Sequence, residues 1–316
     1  MRNLSIVIPS FNESESIQEL FSRLDIVSKI NSLNMQIIFV DDGSTDNTEE
    51  EVSSFIFENI SEICYIKFRR NFGKSEALSE GVRKSKYDLI LTMDADLQDQ
   101  PEEIIKLLNK MDEGYDLVSG WKRKRLDSVL LKNIPSKIFN FLIRKSLGIK
   151  FKDINSGFKL YKKEIWNEID VYGDFHRFIP ILAASKGFKI IEVGINHDKR
   201  KYGKSKYGLD RFLKGIFDLF SVYFLVSYKS RPFHFFGKVS LCLIFLGSAG
   251  LIYLAFLWFN GISIGTRPLL LVSIFNLIIG LQILLFGFSS QQQLSLFRDN
   301  KKNSYSSIKV IKNFKK

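Results

Sequence analysis

Asp94 and Asp96 stand one residue apart, after the apolar run Leu89, Ile90, Leu91 and before Pro101, a residue suited to open a helix. If the run is a strand, both carboxylates leave its end on one side, because alternate residues of an extended chain share a face. Two hard oxygen donors on a rigid mount suit Mg²⁺ or Mn²⁺ bridging a diphosphate. A solvated acidic turn would carry the same two residues, so the pair gains meaning only from the groups around it.

A second acidic pair, Asp41 and Asp42, ends another β-branched run and is followed by Gly43, Ser44, Thr45 and Asp46. That order reads as strand, tight turn and capped helix. Such a strand end can also accept hydrogen bonds from a nucleobase or ribose. Pro9, Asn12 and Glu13 follow the first strand-like run and make a nucleotide pocket the better reading. Asp153 lies between Lys152 and Ile154, where a salt bridge to Lys150 or Lys152 is the plain alternative to a catalytic role. Residues 197–207 hold several cations on a glycine-interrupted stretch, with Arg200, Lys204 and Lys206 the candidates for an acceptor phosphate. Attraction to an anionic membrane surface would use the same residues. Lys122 opens a further basic cluster, and His176 reads as a hydrogen bonder, with no second histidine at ligand spacing.

These groups need elements to hold them. Strands are expected at 4–8, 36–40, 64–68, 89–93 and 116–119, and helices near 15–29, 48–58, 74–85 and 101–113. That alternation predicts a mostly parallel sheet with helices on both faces. Ligands in such sheets bind beyond the carboxyl ends of the strands, and the polar motifs fall at those ends. Residues 120–205 are less regular.

The chain has 316 residues, 46 Lys and Arg against 34 Asp and Glu, a net charge of +12, and 45% hydrophobic residues. That composition excludes a disordered chain, and the length suggests about two domains at ~150 residues each. Cys64 and Cys242 read as buried apolar residues, with no disulfide framework. The opening strand, interrupted at Pro9, does not read as a signal peptide, so the soluble part is expected in the cytosol. No nucleic-acid partner is expected, since no recognition motif accompanies the basic clusters.

From Leu209 the pattern turns helical, with Leu209, Phe212, Leu213, Ile216, Phe217, Phe220 and Phe224 on one face, as in an interfacial amphipathic helix. Two uncharged apolar stretches follow, near 239–259 and 269–288, each long enough to cross a ~30 Å hydrocarbon layer. Lys229, Arg231 and Lys238 flank the first, and Arg298, Lys301 and Lys302 follow the second, whereas the link at 260–268 carries Arg267 alone. The positive-inside rule then places both termini in the cytosol of an inner-membrane protein and the link outside.

Taken together, residues 6–13, 40–46, 70–74 and 93–98 resemble the nucleotide-sugar-binding half of family 2 glycosyltransferases. Residues 153–160 and 202–208 narrow the resemblance to the polyprenyl-phosphate branch, which includes dolichyl-phosphate mannose synthase-like enzymes. The likeness covers about residues 1–230. It implies a Rossmann-like α/β catalytic domain of the GT-A type (1–208), an amphipathic juxtamembrane helix (209–232), a two-helix transmembrane hairpin (233–297) and a basic tail (298–316). It implies that Pro9, Asn12 and Glu13 line the nucleotide pocket, that Asp41 or Asp42 contacts base or ribose, and that Lys122 contacts diphosphate. Asp94 and Asp96 would bind Mg²⁺ or Mn²⁺, with Gln98 as a further ligand. Asp153 would act as general base or orient the acceptor. That branch often carries Gly-Asp-Phe-Arg-Leu where this chain has Ser156, Gly157, Phe158, Lys159 and Leu160, so a second acid is missing here.

The implied reaction is inverting transfer of one hexose from a nucleotide diphosphate sugar, UDP-linked rather than GDP-linked, to polyprenyl phosphate. Two rivals share the sequence features: a family 2 enzyme using another lipid or a glycan as acceptor, and a nucleotide-sugar-binding membrane scaffold without turnover. Homo-oligomerisation is left open.

Overall fold

The computed structural model describes residues 2–122, 151–154, 156–198, 209–228 and 231–300. The chain divides into two compact units, Met1–Val226 and Ser227–Lys316.

The first unit is built on a seven-stranded sheet in the order β3-β2-β1-β4-β6-β5-β7. The strands are β1 (Arg2–Ser10), β2 (Leu33–Asp41), β3 (Glu62–Lys67), β4 (Leu89–Thr92), β5 (Leu117–Lys122), β6 (Lys159–Lys162) and β7 (Ile190–Ile195). β1 pairs in parallel with β2 and β4, β2 with β3, and β5 with β7. Only β6 runs against its neighbours, antiparallel to both β4 and β5. The sheet is thus the mostly parallel one expected, with one reversed strand that sequence patterning did not show.

Central strands of such sheets are covered on both faces, so they read as unbroken apolar runs. β1 obeys this: Leu4, Ile6 and Ile8 enter one core and Val7 the other. The first core receives α1 (Ser14–Ile30) through Ile17, Leu20, Phe21 and Leu24, and α4 (Ile104–Asp112) through Ile104, Leu107 and Leu108. The second core receives α3 (Lys74–Lys84) through Ala77, Leu78 and Val82, α5 (Lys163–Glu168) through Ile165, and α6 (Ile179–Ser185) through Ile179 and Ala183. The short α2 (Thr48–Ser54) follows β2. Pro101 opens a 3₁₀ turn that leads into α4, as its missing N–H allows.

α7 (Leu209–Tyr228) packs Val222, with Leu225 and Val226 beside it, on Phe151, Phe175, Phe178 and Ile181. Phe217 and Phe220 of the same helix are exposed, as an amphipathic helix with a second apolar partner requires.

The second unit holds α8 (Pro232–Phe259) and α9 (Pro268–Asn300). They pair antiparallel: along α8 from Phe236 through Ile244 to Gly247, the close neighbours run back along α9 from Gly287 through Gly280 to Leu277. The 28 residues of α8 span about 42 Å at 1.5 Å per residue, more than a ~30 Å hydrocarbon layer needs. Both helices are long and apolar enough to cross a membrane, and both begin before the expected spans. Phe245, Ile252 and Phe256 are each at least 65% exposed. A buried hairpin of a soluble core would cover such side chains; their exposure fits helices able to cross a membrane. Cys242 is exposed on this hairpin and Cys64 is half-buried, contrary to the expectation that both are buried.

Candidate active site

The strand directions bring the motifs to one edge of the sheet. β1 and β2 end there paired, Ser10 with Asp41, and β4 ends at Thr92, opposite Val7 of β1. β5 ends there at Lys122, paired with Ile195 of β7. Because β6 is reversed, its beginning, not its end, lies there: Lys159 is opposite Thr92. Pro9, Asn12, Glu13, Asp41, Asp42, Asp94, Asp96, Gln98, Lys122 and Asp153 therefore share one rim. Arg200, Lys204 and Lys206 lie outside the described residues. The chain leaves for them from His197 and Asp198, which are fixed beside the acidic motif. The Asp198 N–H donates to the Gln98 carbonyl at 3.0 Å, Gln100 Nε2 donates to Asp198 Oδ2 at 2.8 Å, and His197 Nδ1 lies 3.3 Å from Asp99 Oδ1.

The two loops expected to hold a nucleotide are fastened to each other. Asn12 sits in the left-handed region at φ 56°, which short polar side chains tolerate best. Its N–H donates to Ser44 Oγ at 2.9 Å, and its Oδ1 accepts the Thr45 N–H at 2.9 Å. Asp46 accepts the Ser14 N–H and the Thr48 N–H and hydroxyl. Burial pushes the Asp46 carboxyl up, but these donors more than offset it and hold it below its ordinary value.

Asp41 and Asp42 are both buried. Asp41 accepts the Ser44 N–H at 2.7 Å and the Tyr65 hydroxyl at 2.8 Å. Asp42 accepts the Phe72 N–H at 2.7 Å and the Gly73 N–H at 2.9 Å, which fixes the entry to α3. Gly43, at φ 79°, has no room for a side chain: a Cβ there would lie 2.6 Å from the Arg70 carbonyl carbon. The pair thus carries the loops of the rim as its first duty.

Asp94 and Asp96 do not alternate along a strand as expected. β4 stops at Thr92, and residues 95 and 96 lie in a turn. Leu97 adopts φ 58° in that turn, a costly state for a branched side chain of roughly 1–3 kcal/mol that persists only where its surroundings enforce it. Leu97 and Ala95 are buried in the first core, and that burial supplies the anchor. Asp96 is 6% exposed and its Oδ1 accepts the Gln98 N–H at 3.2 Å.

Asp94 makes an ion pair with the Lys74 ammonium, the first residue of α3. Burial pushes the Asp94 carboxyl up, and Lys74 reverses this and holds it below its ordinary value, helped by Lys159. Gly157 lies close against the carboxylate; a Cβ there would come within 2.8 Å of both its oxygens. The Thr92 hydroxyl donates to the Gly157 carbonyl at 2.9 Å and keeps that approach.

Lys159 is 2% exposed and its ammonium donates to the Ser156 carbonyl. Burial first, then the like charge of Lys74, pushes it down to about 8, against the pull of Asp94, Asp153 and Asp99. His176 shares a 3.1 Å hydrogen bond with the Ser75 hydroxyl, as a structural role predicts. Burial, then Lys74 and Lys159, pushes it down to about 2, so the ring is neutral.

Asp153 is 4% exposed. Its backbone N–H and that of Lys152 donate to the two Glu192 oxygens at 2.9 and 2.7 Å. The Lys152 ammonium lies over the Trp121 ring at 4.3 Å, which takes up the nearer of the two lysines weighed as salt-bridge partners. Lys150 lies outside the described residues.

Sequence reasoning assigns no site role to Lys74 or Glu192, and Gly157 and Lys159 stand out only within the motif at 156–160. The position of Lys74 inside the motif at 70–74 is the signal that could have drawn attention to it.

Among the described residues no group of three or more His, Cys, Asp or Glu is arranged to hold a metal ion. Mg²⁺ commonly takes one or two carboxylates and completes its shell with substrate phosphates and water. Two acids on a rim with hard oxygen donors fit a cation shared with a diphosphate, and do not fit an all-protein cage.

Residues 5–170 match the model of glycosyl transferase family 2. The chain is 35% identical over 307 residues to a dodecaprenyl-phosphate galacturonate synthase of Rhizobium johnstonii, covering 96% of this chain and 91% of that one. It is 36% identical over 216 residues to an undecaprenyl-phosphate 4-deoxy-4-formamido-L-arabinose transferase of Shewanella sediminis, covering 68% of this chain and 65% of that one. A Mycobacterium tuberculosis glucosyl-3-phosphoglycerate synthase solved with Mg²⁺ and UDP shares the fold at a TM-score of 0.55 and 18% identity, covering 72% and 79%. Mannosyl-3-phosphoglycerate synthase of Rubrobacter xylanophilus does so at 0.56 and 18%, covering 70% and 73%. The sheet order, the acids gathered on its carboxyl rim and the match over half the length agree, and the chain belongs to glycosyl transferase family 2.

Proposed function

We propose that the protein transfers a single hexose from a UDP-linked sugar to polyprenyl phosphate, with inversion, at the cytosolic face of the inner membrane. The observation that carries this is the shared rim: acids suited to a metal-bound diphosphate at and just beyond the ends of β2 and β4, and Asp153 ahead of the reversed strand. The names of the two relatives support a polyprenyl phosphate acceptor. Those names carry different sugars, a hexuronic acid and a formamido-pentose, so the sugar is set by the pocket and not by the fold.

Pro9, Asn12 and Glu13 would flank the nucleotide, with Asp41 and Asp42 holding the loops that face it. Lys122 stands where β5 reaches the rim and would meet the diphosphate. Mg²⁺ or Mn²⁺ held by Asp94 and Asp96, with Gln98 adjoining, would neutralise charge on the departing diphosphate. Asp153 orients the acceptor more than it deprotonates it, because a phosphate monoester with a second pKa near 6 is largely ionised at neutral pH. Arg200, Lys204 and Lys206 are assigned to the lipid phosphate. The exposed Phe217 and Phe220 and the hairpin support a site at the membrane surface, where a lipid phosphate arrives already concentrated.

The test is a radiolabelled sugar assay on membranes with polyprenyl phosphate and Mn²⁺. Label passes into the organic phase with the correct UDP-sugar. Asp96→Asn stays folded and membrane-bound and loses at least about 100-fold in rate, as removal of a metal contact worth several kcal/mol requires. Full activity in that variant would refute the metal role, and a failure of every UDP-sugar to label the lipid would refute the reaction.

A further inference from the structure

Two lysines surround Asp94, and they differ in freedom. Lys159 is 2% exposed, with its ammonium tied to the Ser156 carbonyl. Lys74 has a side chain 30% exposed, paired with an Asp94 side chain 36% exposed, so this ion pair faces the open rim. The Lys74 backbone is fixed, because the preceding Gly73 N–H is held by Asp42. Its four-carbon stem remains able to swing.

Asp94 offers few directions of approach. Gly157 closes one flank of the carboxylate, and the Lys74 ammonium sits on Oδ1. A divalent cation on Oδ1 would need the place that Lys74 holds, and one on either oxygen would meet a like charge at close range.

We infer that Lys74 is the resident counter-ion of Asp94 in the free protein and yields to the divalent cation only when a nucleoside diphosphate offers its ammonium another anion. This rests on the metal role proposed above for Asp94 and Asp96. The consequence is an order of loading: cation and nucleotide enter together, and the cation alone binds poorly. Lys74 is a positioning residue in this account, since it acts on the cation through Asp94.

Mn²⁺ binding to the full-length protein in detergent micelles, read by electron paramagnetic resonance, tests this without turnover. For the wild type, MnCl₂ alone binds weakly and UDP tightens it at least tenfold. Lys74→Met binds MnCl₂ alone at least tenfold more tightly than wild type, and its gain from UDP shrinks. Lys74→Arg, which keeps the cation, stays within twofold of wild type. Equal Mn²⁺ affinity in wild type and Lys74→Met overturns the inference. So does a wild type that binds Mn²⁺ equally well with and without UDP, a measurement that needs no variant. Asp96→Asn separates the two layers. If it abolishes Mn²⁺ binding in the presence of UDP while Lys74→Met has no effect, only the role of Lys74 fails. If Asp96→Asn leaves Mn²⁺ binding intact, the metal reading itself fails and this inference with it.

Discussion

A neutral histidine close to two lysines is a stability cost that appears only in acid. His176 is pushed down to about 2 by burial, Lys74, Lys159 and Arg177, whereas the unfolded chain titrates near 6.5. Between those values the unfolded state binds more protons, so stability falls as pH falls. The slope approaches about 1.4 kcal/mol per pH unit below pH ~5.5. Thermal melts between pH 7 and 4.5 should show this decline, and His176→Gln should flatten it. Gly157 permits a second residue-level prediction. Gly157→Ala forces the Asp94 carboxylate or its own loop to move, and displacement of a reacting group by about 1 Å costs on the order of 100-fold in rate. Turnover should fall by that factor while circular dichroism stays that of the wild type. The place of the acids at and beyond strand ends was legible in the sequence, because each follows an apolar, strand-like run. Their partners were not. Nothing in a linear chain indicates that Lys74 meets Asp94, or that Glu192 meets the backbone of Asp153 across 39 residues.

At the scale of elements, the alternation of short apolar strands and amphipathic helices over residues 1–120 predicted β1 to β5 and α1 to α4 with shifts of a few residues at their ends. Both faces of β1 and β2 are buried, so their composition is unambiguous. β6 and β7 escaped notice for physical reasons. β6 is four residues long with a lysine at each end, and one of those lysines is buried. β7 is a half-exposed edge strand with Glu192 in its middle. That glutamate has work that only the fold shows: it takes both the Lys152 and Asp153 N–H groups and so fixes the backbone at Asp153. Glu192→Ala should remove two charge-assisted bonds and lower turnover about tenfold or more, with donor KM unchanged. Glu192→Gln keeps one amide oxygen as an acceptor and should fall between the two. Steady-state kinetics with donor and acceptor varied separately would decide this.

For the whole molecule, the hairpin presents apolar side chains outward on both helices, and Cys242 with them. In a Cys64→Ser background, a membrane-impermeant maleimide should leave Cys242 unlabelled in sealed membranes and label it once the protein is unfolded in detergent. Rapid labelling in intact membranes would place that helix in water and argue against a spanning hairpin. A different property of the whole chain comes from the reversed strand. β5 reaches the rim at Lys122, and the chain returns to the same rim at Phe151, just ahead of Asp153 and β6. In the sheet β6 is hydrogen-bonded to β4 on one side and to β5 on the other. The loop just ahead of it is tied the same way, with Gly157 bonded to Thr92 of β4 and Asp153 to Glu192 of β7. A fault in either tie would therefore be felt on both halves of the sheet at once.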